Sequence, residues 1–206
     1  MSWHYDTDFE LHTRHAAPYV PGPTTAYEIL NLTNTQLRQK IAIHEAGHAI
    51  LMLDRSIPFL AIQIADDLGH GPDKDGPAGH VELHSSLTAP INDGLAALAA
   101  GERAEDRWFR EQGLWTGTRA WVVEILARSD RQQIARVAQA AHGRPVTHGV
   151  NSDPQRDLSA IHSAADEALD GLWDRVLRLG EALDRHGRLD YSQAAEAAGY
   201  APILGR

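Results

Sequence analysis

Residues 33–58 read TNTQLRQKIAIHEAGHAILMLDRSIP, and this stretch decides the fold. Thr33 and Gln36 have the spacing of a capping box, which predicts that a helix begins near Asn34. Pro58 predicts that the helix ends before it. Between these limits an amphipathic stripe recurs at steps of four and three residues, formed by Leu37, Ile41, His44, His48 and Leu51.

Two histidines of the stripe belong to the sequence His44-Glu45-Ala46-Gly47-His48, an HExxH motif. Histidines four residues apart have Cβ atoms about 5–6 Å apart on one helical face, so both imidazoles can bind one metal ion. Glu45 is rotated by about 100° from His44, which directs its carboxylate toward a metal-bound water rather than the metal itself. The motif therefore predicts a zinc site with Glu45 as general base.

Two other interpretations of the motif stay open. In the first, both histidines are buried and hydrogen-bonded, and Glu45 faces solvent. In the second, Glu45 and His48 form ExxH, half of a di-iron carboxylate site that needs a second ExxH and two more helix glutamates. The chain has no second ExxH, so a homodimer would have to supply the other half.

Length, net charge and cysteine content restrict the classes of partner and metal site that the protein can have. A length of 206 residues suits one domain, and a net charge of -9 argues against a nucleic-acid partner. Because the chain has no cysteine, any metal must be bound by histidine and carboxylate. The N-terminus lacks a secretory signal pattern and no long apolar run encodes a membrane span, so we expect a soluble, cytoplasmic protein.

The remaining sequence predicts an α+β organisation. Residues 1–30, rich in aromatics and proline, are expected to be an irregular arm that docks on a domain formed by residues 31–206. Alternating segments at 59–64 and 79–84 predict two strands of a small antiparallel sheet. Helices are predicted from about 88 to 110, from 118 to 141 and from 191 to 198. A further helix is predicted to open at Asp153 and to follow one apolar stripe, with a stop at Gly187.

The zinc helix resembles that of the FtsH-type metallopeptidases, the proteolytic part of membrane-bound ATP-dependent proteases. A second similarity is Gly101-Glu102-Arg103-Ala104-Glu105-Asp106, which looks like that family's helix bearing Gly and then Ala-Glu. Together the similar segments span about residues 33 to 190. The resemblance implies a mainly α, zincin-like helical metallopeptidase domain with a small antiparallel β-sheet. The chain has no GxxxxGK[ST] phosphate loop, so we expect a peptidase that works without ATP.

The resemblance also implies the rest of the metal site. The family's third zinc ligand is an aspartate near the start of a later helix, and Asp157 followed by Leu158 is the nearest match. Asp153 is the alternative ligand, although a helix cap before Pro154 would explain it as well. Glu105 is expected to accept the outer N–H of a zinc histidine, unless it is simply a solvated acid.

A rival metal cluster lies on the second predicted strand. His80, Glu82 and His84 alternate there and would share one face, as a solvated surface, a metal chelate or the border of a substrate cleft. The expected function is zinc-dependent hydrolysis of peptide bonds in peptide or protein substrates. The alternative is a catalytically silent zincin-fold binding or regulatory protein, and the sequence leaves the oligomeric state open.

Overall fold

The computed structural model of the protein describes residues 3–19, 24–65, 79–83 and 89–201. The helices of these ranges are α1 (Ala26–Leu30), α2 (Asn34–Asp54), α3 (Ile91–Glu111), α4 (Gly117–Leu126), α5 (Arg128–His142), α6 (Leu158–Asp170), α7 (Trp173–His186) and α8 (Tyr191–Ala197). The strands are β1 (His4–Asp6), β2 (Leu11–Thr13), β3 (Phe59–Ile64), β4 (Gly79–Leu83) and β5 (Arg188–Asp190). The protein is therefore mainly helical with small antiparallel sheets, as the α+β prediction required.

The long helix α2 forms the centre of the fold. Thr33 and Gln36 form the predicted capping box at its start, and most of its residues from Leu37 onward are buried. It packs against α3, α7 and β3. A Cβ on Gly47 would lie 2.6 Å from the carbonyl oxygen of Ala100, so glycine is required where α2 approaches α3.

The larger sheet has the strand order β4-β3-β5, with both pairs antiparallel. The predicted pairing of β3 with β4 is confirmed, and β5 was missed because it has only three residues. β4 pairs with β3 alone among the described strands, so it is an edge. His84 lies outside the described residues.

Two predicted helices were placed wrongly. The helix expected at 118–141 is interrupted at Ala127, whose φ of -79° and ψ of 13° end α4 and begin α5. The helix expected to start at Asp153 starts at Leu158, and the apolar stripe beyond it is divided between α6 and α7. Apolar periodicity continues across both breaks, which is why the sequence pattern did not reveal them.

The N-terminal arm is more regular than predicted. Its first part is the β1–β2 hairpin, and its last part is α1, whose start has a capping box formed by Thr25 and Glu28. The hairpin docks through Asp6, which accepts a hydrogen bond of 3.0 Å from Trp121 Nε1. Among the described helices, none combines the length and apolarity needed to cross a membrane.

Candidate metal centre

Three potential ligand atoms converge between α2 and α5. The Nε2 atoms of His44 and His48 are 3.1 Å apart, because the two residues are one helical turn apart on α2. Asp130 Oδ2, from the first turn of α5, lies 3.1 Å from His44 Nε2 and 3.6 Å from His48 Nε2. Within the described ranges, these three residues form the one cluster of histidine and carboxylate groups with metal-binding geometry.

The size of this triangle matches a small tetrahedral cation. With zinc bonds of about 2.0–2.1 Å, ligand atoms of a tetrahedral site are about 3.3–3.4 Å apart. The three sides of 3.1, 3.1 and 3.6 Å bracket that value. The donor set of two imidazoles and one carboxylate is the kind used by catalytic zinc sites, which keep the fourth position for water.

The opposite ring nitrogens are held by acceptors. His48 Nδ1 donates to the carbonyl oxygen of Ala97 at 2.7 Å, and His44 Nδ1 donates to Glu105 Oε2 at 3.1 Å. Glu105 is fully buried, and Lys40 Nζ lies 3.1 Å from its other oxygen. These acceptors hold hydrogen on Nδ1, so Nε2 is the atom of each ring that faces the other two ligand atoms and can bind a metal once it has lost its proton.

The pKa shifts show that this arrangement favours positive charge. Burial lowers the pKa of His44, but hydrogen bonds to Asp130 and Glu105 outweigh burial and raise it to about 10. Burial also lowers the pKa of His48, but Asp130 outweighs burial and raises it. The pKa of Asp130 shifts downward. Burial raises it, but the two histidines outweigh burial and lower it. The triangle therefore stabilises a cation, either protons or a metal ion.

Gly101 provides the space beside the two histidines. It lies on α3, and a Cβ built at this position would be 2.7 Å from His44 Nε2 and still closer to His48 Nε2. Any other side chain would therefore enter the volume that the metal would need. The Gly of the segment 101–106 has a direct steric role in the candidate site.

A buried ion pair adjoins Asp130 in the sequence of α5. Arg131 Nε and Nη2 donate to the two carboxylate oxygens of Glu102, both at 2.7 Å. Arg131 Nη1 also donates to the carbonyl oxygen of His12 in β2. Because Glu102 follows Gly101 and Arg131 follows Asp130, this fork links α5 to α3 immediately behind the ligand cluster.

Glu45 lies in the same cleft as the ligand cluster. The cleft has a volume of about 840 Å³ and is bounded by α2, α3, β4 and α5. Glu45 is 5% exposed, and its Cγ and Oε1 would each be 2.8 Å from a Cβ on Gly79, the first residue of β4. Burial raises the pKa of Glu45, with His44 and His48 acting in the opposite direction. A carboxylate with a raised pKa suits proton transfer.

The structure does not bring Asp157 to the histidines. Asp157 is the N-cap of α6 and is fully buried. Its two carboxylate oxygens accept six hydrogen bonds, from Thr147 Oγ1 and from the backbone N–H groups of Gly149, Val150, Asn151, Ser159 and Ala160. A carboxylate has about four lone-pair positions, so six donors leave none for a metal.

The other sequence candidates have local roles. Asp153, the alternative ligand, accepts a hydrogen bond from the backbone of Gln155 at 2.9 Å and is also outside the metal-binding cluster. In β4, Glu82 pairs with Arg188 at 3.0 Å, and His80 Nε2 lies 3.2 Å from Gln63 Nε2. His80 also lines the cleft.

Four residues predicted from the sequence lie together in the structure, His44, Glu45, His48 and Glu105, whereas Asp130 was not predicted. The only local signal at Asp130 is an acid in the first turn of a helix, which is common and unspecific. Comparison with protein-family descriptions and with curated proteins found no match to this chain.

Proposed function

We propose that the protein is a zinc-dependent, ATP-independent metallopeptidase with a zincin-like, FtsH-type catalytic domain. One observation carries this proposal: His44, His48 and Asp130 converge in the same cleft as the buried carboxylate of Glu45. Asp130 replaces Asp157 as the third ligand in this assignment. The two histidines and Asp130 would hold the ion, and Glu105 would fix the ring orientation of His44.

The residues then divide the chemistry between them. A zinc ion held by these residues would supply a Lewis acid that activates water at neutral pH. Glu45 accepts a proton from the water that attacks the peptide carbonyl, and later returns it to the departing amine. Burial of Glu45 raises its pKa, and the higher basicity favours the first of these transfers.

The cleft also supports a peptide as substrate. It is lined on one side by β4, an edge of the described sheet. On that side the backbone groups of β4 have no partner strand among the described residues, so they can pair with an extended chain. Many of its other lining residues are apolar, among them Ile41, Met52 and Leu98. A flexible tail, an exposed loop or a short peptide fits such an edge without prior unfolding by an ATPase.

The test is the Glu45→Gln variant, compared with wild type and with Glu196→Gln, an exposed control on α8. All three proteins should bind one zinc ion by elemental analysis. We expect Glu45→Gln to cleave an unfolded protein or a peptide library at least about 100-fold more slowly, because general base catalysis contributes about 10²–10⁴-fold.

Two results would contradict the proposal. If Glu45→Gln keeps its zinc and cleaves as fast as wild type, Glu45 is not the base. If zinc-loaded wild type binds peptides but cleaves none of them, the protein is the catalytically silent zincin-fold binder instead. Loss of cleavage in Glu196→Gln would show that the assay responds to general damage.

A further inference from the structure

The wall of the cleft formed by α5 carries an arginine, Arg136, six residues after Asp130. Asp130, Gln133 and Arg136 all line the cleft, and they follow one another at intervals of one helical turn. Arg136 is exposed. This wall therefore presents a ligand, an amide and a guanidinium in order along the cleft.

Arg136 differs from the other basic side chain that lines the cleft. Lys40 is buried and paired with Glu105 at 3.1 Å, so its charge is already neutralised. Arg136 has no carboxylate within 4.0 Å among the described residues, and its Nη2 donates to Gln133 Oε1 at 2.7 Å. An arginine fork without a carboxylate partner is suited to bind one from a ligand.

The hydrogen bond to Gln133 locates the guanidinium relative to the site of hydrolysis. Gln133 and Arg136 follow Asp130 by three and six residues, or about 4.5 and 9 Å along the helix axis. The side chain of Arg136 extends back over the preceding turn, so its guanidinium lies between these two limits. For an extended peptide that runs parallel to α5 and advances about 3.3–3.4 Å per residue, this interval corresponds to about one to three residues.

We propose that Arg136 gives the cleft a preference for substrates with a carboxylate one to three residues from the cleaved bond. This inference rests on the proposed peptidase function and names the substrate class of that site. The carboxylate has two possible sources, an Asp or Glu side chain and the C-terminus of the substrate. With a net charge of -9 the protein repels acidic chains in general, so the preference requires a local cation such as Arg136.

The experiment uses peptide pairs that differ only by Glu against Gln, scanned through the four positions on each side of the cleaved bond. Each pair is made with a free and an amidated C-terminus, which separates the two sources of carboxylate. Cleavage is measured with wild type, Arg136→Gln, Arg136→Lys and Arg128→Gln. Arg128 is a matched control because it is an exposed arginine of α5 that does not line the cleft.

We expect kcat/KM of wild type to favour Glu over Gln by about threefold to tenfold at one position, as for a partly exposed charge-assisted pair. Arg136→Gln should lose this preference, Arg136→Lys should keep part of it, and Arg128→Gln should keep it all. A preference for the free over the amidated terminus, lost in Arg136→Gln, would assign the chain end as the source.

Binding separates failure of this inference from failure of the peptidase proposal. The dissociation constants of the same peptides are measured on zinc-loaded Glu45→Gln, with and without Arg136→Gln. A Glu preference that depends on Arg136 supports the inference even where wild type cleaves nothing. Equal binding and cleavage of Glu and Gln peptides, or a preference that survives Arg136→Gln, would overturn it.

Discussion

Asp130 Oδ2 lies 3.1 Å from His44 Nε2, although 86 residues separate them in the chain. The carboxylate reaches the histidine because α5 begins at Arg128, directly after the break at Ala127. A continuous helix would give the first turn of α5 a different direction. The position of the third residue of the candidate metal site therefore depends on one interruption between two helices.

Replacement of Asp130 tests the ligand assignment directly. Asp130→Asn should weaken zinc binding by more than the roughly 10- to 100-fold that follows loss of a supporting group. Asp157→Asn should keep zinc but lower the free energy of unfolding by about 1–3 kcal/mol, because an amide nitrogen cannot accept hydrogen bonds from the donors around it. Zinc titration and chemical denaturation of both variants measure these effects. The opposite ranking of zinc affinities would return the ligand role to Asp157.

Gly101→Ala tests the space beside the histidines. Its Cβ would lie 2.7 Å from His44 Nε2, so the variant should lose stoichiometric zinc while keeping its helical circular dichroism. Gly94→Ala is the control in the same helix, because nothing lies within 4 Å of its added Cβ. That variant should bind zinc normally and gain about 0.5–1 kcal/mol of stability. Normal zinc affinity in Gly101→Ala would show that the ion does not bind between these rings.

Zinc binding should release protons at neutral pH. The pKa of His44 is raised to about 10, so its ring is protonated at pH 7, whereas coordination needs the free Nε2 lone pair. Zinc affinity should therefore rise with pH between 6 and 9, about tenfold per unit for each proton displaced. Calorimetry in buffers of different ionisation enthalpy measures the proton count. Uptake of zinc without proton release would contradict a protonated His44 in the metal-free protein.

Arg131→Lys tests the support behind Asp130. Lysine keeps the positive charge but cannot form the two parallel hydrogen bonds to Glu102. We expect the zinc dissociation constant to rise about 10-fold, as when a supporting group is lost, together with a lower melting temperature. Arg128→Lys, at an exposed position on the same helix, is the control. An unchanged zinc dissociation constant in Arg131→Lys would show that the hydrogen bonds between Arg131 and Glu102 stabilise the fold without supporting the metal site.

Much of the fold follows from short-range pattern. The capping box of Thr33 and Gln36, the steps of four and three residues along α2, and the alternation in β3 are local properties of the sequence. The breaks at Ala127 and Gly171 were not predicted, because the apolar stripe runs through both positions without a marked change. An apolar stripe indicates which face of a helix is buried, but it does not indicate the residue at which the helix ends.

In the candidate site, too, some features follow from local sequence and others only from tertiary packing. His44, Glu45 and His48 are close because one helical turn brings them together, so the sequence by itself determined their arrangement. Only the tertiary structure distinguishes the surroundings of Asp130 from those of Asp157, since in the sequence both are acids at the start of a helix. Backbone donors around Asp157 occupy its oxygens, whereas packing of α5 against α3 carries Asp130 to the histidines. Long-range packing has no periodic signature in a single sequence, and it alone completes the triangle.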